Sequence, residues 1–156
     1  MLEISRPGYA GLTLRHLVLD YNGTLARDGV LLAGVADAIR VMAETLRIHV
    51  VTGDTFGTAR SALAGVPCEI LILPAQDQAP RKRDHVERLG AAQTACIGNG
   101  RNDRMMMEVA ALAIAVLQEE GAATETLQAA DVVCPDISCA FDLLRQPQRL
   151  MATLRS

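Results

Sequence analysis

His16-Leu17-Val18-Leu19-Asp20-Tyr21-Asn22-Gly23-Thr24 is the stretch whose reading decides the fold. Its apolar run has no polar alternation, which suits a strand buried on both faces. The run delivers Asp20 into a turn that contains Gly23, and this is how a phosphoryl-accepting carboxylate is presented at the end of a strand. An aspartate after a strand is also common as an Asx-turn or helix cap, so the functional weight rests on its companions. Three stand at compatible places: Val51-Thr52-Gly53-Asp54 at the end of a second apolar run, Lys82 in a basic cluster, and Gly98-Asn99-Gly100-Arg101-Asn102-Asp103 after a further run.

Working outward, apolar runs rich in β-branched residues recur at 16–19, 48–51, 69–73, 94–97 and 112–116, with a short one at Val132-Val133. Between them Val35, Ile39, Met42 and Leu46 repeat at helical spacing, as do Phe56, Ala59 and Leu63. A C-terminal helix is expected around Phe141 to Leu144, and Pro7-Gly8 with Gly11 suggest a turn after one short N-terminal strand. Strand alternating with helix implies right-handed crossovers and an α/β fold: a single doubly wound parallel sheet with helices on both faces, in one domain over residues 1–156. Ligands of such sheets collect at the carboxyl ends of the strands, where strand order reverses. Asp20, Thr52 and Gly98 each end a strand, and Lys82 is expected to open the helix after the third. A carboxylate, a hydroxyl, an ammonium and a second carboxylate meeting at one sheet edge is what metal-assisted phosphoryl transfer requires.

Bulk properties exclude several classes. A chain of 156 residues, 50% apolar, supports one sizeable core. A formal charge of −3 gives no general attraction to nucleic acid or anionic membranes. No run approaches the ~20 apolar residues of a spanning helix, and the N-terminus lacks a signal-peptide core, so a cytoplasmic protein is expected. The cysteines at 68, 96, 134 and 139 form no CxxC pair and read as small reduced hydrophobes. His16, His49 and His85 are scattered along the chain and receive no chemistry.

Together the four stretches resemble the four motifs of the haloacid dehalogenase (HAD) superfamily, from about residue 16 to the C-terminus. Asp20-Tyr21-Asn22-Gly23-Thr24-Leu25-Ala26 with Gly98-Asn99-Gly100-Arg101-Asn102-Asp103 is most similar to its small soluble members related to the phosphorylation domain of P-type ATPases. The resemblance implies a Rossmann-like HAD fold, a nucleophile at Asp20 that forms an aspartyl phosphate, and Mg²⁺ held by Asp20, the main-chain carbonyl of Asn22, Asn99 and Asp103. It also implies phosphate binding by Thr52, Gly53 and Lys82. Lys82 is the only lysine, against fourteen arginines, and a compact ammonium bridges nucleophile and phosphate where a guanidinium fork fits poorly. A solvated basic face, flanked by Arg81 and Arg83, is the plainer reading of Lys82. Asp54 or Thr55 suits a helix N-cap, and Met105-Met106-Met107 suits core filling.

Two positions depart from the superfamily pattern. Asn22 stands where most phosphatases of the superfamily carry the acid/base aspartate, and an amide cannot transfer that proton, which typically lowers the rate by ~10²–10⁴. Asn99 replaces the first aspartate of the metal loop, offering a carbonyl oxygen with less charge. The intervals from Asp20 to Thr52 and from Thr52 to Lys82 are each about 30 residues, the length of one crossover, so no cap domain is expected. An uncapped pocket needs another roof, and a homo-oligomer is expected from the resemblance. The expected function is a slow Mg²⁺-dependent phosphohydrolase acting on a small phosphorylated metabolite or a phosphorylated partner. The alternative is a non-catalytic domain that binds Mg²⁺ and phosphate to regulate or recognise a partner, with a receiver-type phosphoacceptor third.

Overall fold

The structure is a computed structural model that describes residues 1–6 and 9–155, so the turn expected at Pro7-Gly8 lies outside the described residues. In chain order, β1 (Leu2–Arg6) and β2 (Tyr9–Leu14) precede β3 (His16–Leu19), and β4 (Ala26–Arg27) and β5 (Val30–Leu31) follow it. Next come α1 (Val35–Met42), β6 (Arg47–Thr52), α2 (Ala59–Ala62), β7 (Glu69–Ile72), α3 (Gln78–Leu89) and β8 (Thr94–Gly98). The chain ends with α4 (Arg104–Val109), β9 (Leu112–Val116), α5 (Thr124–Ala129), β10 (Val132–Cys134), α6 (Ile137–Arg145) and α7 (Pro147–Leu154).

Six strands form one parallel sheet in the order β10-β9-β8-β3-β6-β7. From the central β3 the chain winds outward through β6 and β7, then returns to the other side and winds through β8, β9 and β10. Strand order therefore reverses between β3 and β8. Every apolar run expected to be a strand is one; the inner strands β9, β8, β3 and β6 supply buried side chains to both faces, and the edge strands β7 and β10 are less buried. Leu17, Leu19, Ile48, Val50, Ala95 and Ile97 pack on one side with Val35, Ile39 and Met42 of α1 and Phe141 and Leu144 of α6. Val18, Val51 and Cys96 pack on the other with Val86 of α3 and Met106 and Met107 of α4.

Several local expectations are corrected. The N-terminal region holds two strands, an antiparallel ribbon with Ile4 opposite Leu12 that stands apart from the main sheet, and Gly11 lies inside β2 rather than in a turn. Helix α2 is shorter than the Phe56-Ala59-Leu63 spacing predicts, because Gly57 at φ 67° interrupts it and leaves Phe56 half exposed. The C-terminal helix is two helices, the second starting at Pro147, which fits the first helical position because its missing N–H has no partner there anyway. Between Asp20 and α1 the chain adds the β4–β5 hairpin, whose turn Asp28-Gly29 has φ 51° and 77°, the type I′ geometry that matches strand twist. Among the described residues no separate lid domain interrupts the sheet. None of the described helices is long and apolar enough to cross a membrane.

Candidate functional site

Strand alternation aims Asp20. Val18 faces the α3 layer, and Asp20, two residues on and just past the end of β3, faces the same way. On α3, Lys82 precedes the buried Val86 by one turn and shares its inward stripe, so Lys82 sits in the second turn of the helix rather than opening it. The two side chains meet beneath the sheet edge: Lys82 Nζ donates to Asp20 Oδ1 and to Asp103 Oδ1, each at 2.6 Å, and Lys82 has 0% exposure. It is not part of a solvated basic face. Asp103 Oδ2 accepts the backbone N–H groups of Asn99 and Gly100, both at 2.9 Å. This return of Asp103 requires glycine at 98, since a Cβ there would lie 2.5 Å from the carboxylate carbon. Asp103 is fully buried, and both its oxygens already have partners. It lies one layer behind Asn99, positioning Lys82 and the loop.

Burial raises the Asp20 carboxyl to about 6, helped by the nearby negative charge of Asp103 and opposed by the Lys82 ammonium. For Lys82, burial works against the charge, but Asp103 and Asp20 outweigh it and hold the ammonium above its ordinary range. Lys82 therefore stays protonated between the two carboxylates.

Above this triad is a cleft of about 210 Å³ lined by Asp20, Asn22, Thr52, Gly53, Asn99 and Gly100, together with Thr55, Gln78, Asn102 and Glu120. Thr52 Oγ1 accepts the Asp54 N–H at 2.9 Å, which leaves its own O–H to donate into the cleft. The Asp54 carboxylate accepts the N–H groups of Thr58 and Ala59, both at 3.0 Å, and so serves the start of α2. Asn99 Nδ2 donates to the Gly121 carbonyl at 2.9 Å, which turns Asn99 Oδ1 toward Thr24 Oγ1 at 3.3 Å; that hydroxyl is 3.2 Å from Asp20 Oδ2. Asn22 Oδ1 is buried without a hydrogen-bond partner. A carboxylate, an oriented amide oxygen and an unpartnered amide oxygen beside one cleft are the hard oxygen donors that Mg²⁺ takes, so the donor set fits that ion.

The structure thus brings Asp20, Asn22, Thr52, Gly53, Asn99 and Lys82 to one place, with Asp103 behind them. Sequence reasoning missed Gln78, whose amide lies over Gly53 and accepts from Asn102 at 2.8 Å, and it missed Thr24, Gln118 and Glu120. The rule that ligands gather past strand ends marks the segment after β9 and could have found the last two.

The histidines are scattered in sequence but gathered in space. His16 of β3, His49 of β6 and His85 of α3 lie on the α3 side of the sheet, with His16 Nδ1 3.1 Å from His49 Nε2 and the His49 and His85 ring centres 5.3 Å apart. Among the described residues, no three His, Cys, Asp or Glu side chains are already placed to hold a metal. All four cysteines are free.

No family model matches the chain. It is 46% identical over 59 residues to an uncharacterized protein of Methanocaldococcus jannaschii, an alignment covering 38% of this chain and 63% of that protein. The chain thus spans less than two thirds of that relative's length. Among solved structures it is similar to the cobalt-bound deoxy-D-mannose-octulosonate 8-phosphate phosphatase of Haemophilus influenzae, with 17% identity, TM-score 0.71, and 92% and 94% of the two chains covered. It is also similar to the corresponding phosphatase of Moraxella catarrhalis in complex with magnesium, phosphate and KDO, at 12% identity and TM-score 0.70 over 91% of this chain and 94% of that one. A Legionella pneumophila structure described as a HAD superfamily (subfamily III A) hydrolase matches at 16% identity and TM-score 0.67, covering 90% and 87%. At these identities the likeness establishes the fold.

Proposed function

We propose that this chain, which has the fold of the HAD-superfamily phosphatases, is a Mg²⁺-dependent phosphohydrolase that transfers a phosphoryl group to Asp20. The observation that carries the reading is the Asp20–Lys82–Asp103 triad at the point where strand order reverses, beneath a cleft large enough for a phosphate. Asp20 forms an oxygen–phosphorus bond as the ester bond breaks, and water then cleaves the aspartyl phosphate to free Asp20 and release inorganic phosphate. The Thr52 hydroxyl and the Gly53 amide donate to phosphoryl oxygens, and Lys82 offsets the charge gathered between two carboxylates and the phosphate. Asp20, Asn22 and Asn99 would hold the ion, supported by Asp103. When bound, Mg²⁺ supplies further positive charge to the phosphoryl oxygens.

Asn22 binds but does not move protons, so the leaving group takes its proton from water or another group and turnover is slow. The substrate is a small phosphorylated metabolite or a phosphorylated partner. A second copy of the chain roofs the cleft, since the hairpin β4–β5 leaves it open.

Asn22 and Asn99 favour a second reading, a non-catalytic domain that binds Mg²⁺ and a phosphorylated ligand. A panel of phosphate esters assayed with Mg²⁺ distinguishes the two. Hydrolysis that Asp20→Ala abolishes and Asn22→Asp accelerates supports the enzyme. Absence of hydrolysis in both the parent and Asn22→Asp, with ligand binding retained, supports the binding domain.

A further inference from the structure

A carboxylate outside the four motifs stands beside the two asparagines that depart from them. A Cβ on Gly23 would lie 2.6 Å from Glu120 Oε2 and 2.4 and 2.7 Å from Asn99 Nδ2 and Oδ1, so both side chains converge on the same point above that glycine. Glu120 lines the cleft together with Asp20, Asn22 and Asn99. Its loop is tied from both sides. Gln118 Nε2 donates to the carbonyls of Gly23 and Thr24, both at 2.9 Å, and its Oε1 accepts the Ile137 N–H at 3.0 Å. Gly121 accepts from Asn99 Nδ2 at 2.9 Å, and Ala123 N–H donates to the Asn99 carbonyl at 2.8 Å. Glu120 is therefore held between an anchor on the Asp20 turn and an anchor on the Asn99 loop.

We infer that Glu120 supplies the divalent-cation site with the negative charge that Asn99 lacks. Of the acidic residues at the centre, Asp103 is saturated by Lys82 and two amides, which leaves Asp20 alone to face the cation unless Glu120 joins it. A site with one carboxylate binds Mg²⁺ weakly, and a second hard anionic oxygen corrects this. The neighbouring Glu119 does not share the role, because it pairs with Arg27.

The inference rests on the metal-dependent reading, and the test separates the two. Mg²⁺ is titrated by calorimetry into the parent, Glu120→Gln and Glu119→Gln, and melting is followed with and without Mg²⁺. Glu120→Gln is expected to weaken Mg²⁺ binding about ten- to a hundredfold, the range that losing a supporting carboxylate produces. Glu119→Gln, which removes the same charge one residue away, is expected to change it less than about twofold. Without metal, Glu120→Gln should melt no lower than the parent, since Glu120 is on the exposed surface and its charge adds to the acidity of the empty cleft. Equal affinities for the parent and Glu120→Gln, or equal losses in both variants, overturn the assignment while leaving the metal-dependent reading in place. A parent that binds no Mg²⁺ overturns both.

Discussion

Removing the Lys82 ammonium leaves Asp20 and Asp103 facing one another inside the protein without a cation. Breaking a buried pair in this way costs about 3–5 kcal/mol, so Lys82→Ala should lose about that much unfolding free energy in urea. Lys82→Arg should also destabilise, because the guanidinium fork exceeds a space in which two oxygens already lie 2.6 Å from Nζ. Its burial further predicts that amine acylation leaves Lys82 unmodified in the native state and reaches it only on unfolding, read by peptide mass spectrometry. Labelling of Lys82 at the rate of a free amine in the folded protein would contradict the geometry. At this scale Asp20, Thr52 and Lys82 were legible because strand ends and the single lysine single them out. Gln78 was not, since a lone polar residue at the start of a helix has nothing to set it apart, and Glu120 was marked only by its place in the segment after β9. That Asp103 lies by Asp20 was legible, but not that both its oxygens are taken, which only the curl of the 98–103 loop decides.

Between β3, β6 and α3 the three histidines form a neutral cluster that should act as an acid-sensitive point. Burial, more than any neighbouring charge, lowers all three, and His49 falls to about 4. The facing groups are Glu69, which favours protonation, and Arg15, Arg47 and Arg88, which oppose it. A base whose folded value is depressed contributes stability that is present above its unfolded value of 6.5 and is lost as pH falls toward 4. Discounted for solvent screening, the shift amounts to on the order of 2 kcal/mol for His49. Asp20, raised to about 6, acts with the opposite sign, its contribution being lost as pH rises through that value. The difference between parent and His49→Gln cancels that term. Denaturant melts from pH 7 to 4.5 should therefore show the parent losing more stability on acidification than His49→Gln, and parallel curves would refute the role of the cluster. The cluster was illegible because a strand-to-strand meeting depends on register. The β4–β5 hairpin was legible in principle from Asp28-Gly29, but strands of two residues give no alternation to detect.

The sheet as a whole was legible because its four inner strands are buried on both faces and therefore read as continuous apolar runs, which the less buried edge strands β7 and β10 extend. That pattern also placed Asp20, Thr52 and Gly98 at one edge. What sequence does not carry is the surface. Val30 at the hairpin is 69% exposed and Phe56, packed against the hairpin turn at Gly29, is 51% exposed, an apolar rim at the hairpin that adjoins Thr55 of the cleft through Phe56. If a second copy covers this rim, light scattering should show a stable oligomer. Phe56→Glu with Val30→Glu should then yield a monomer with reduced turnover, and a fully active parent monomer would contradict the proposed roof. The central claim, phosphoryl transfer to Asp20 with Mg²⁺, is tested most directly by melting the protein with beryllium fluoride, which mimics a phosphoryl group on a carboxylate. The account predicts a rise in melting temperature that requires both Mg²⁺ and beryllium fluoride and is absent in Asp20→Ala. No rise in the parent, or an equal rise in Asp20→Ala, would contradict it.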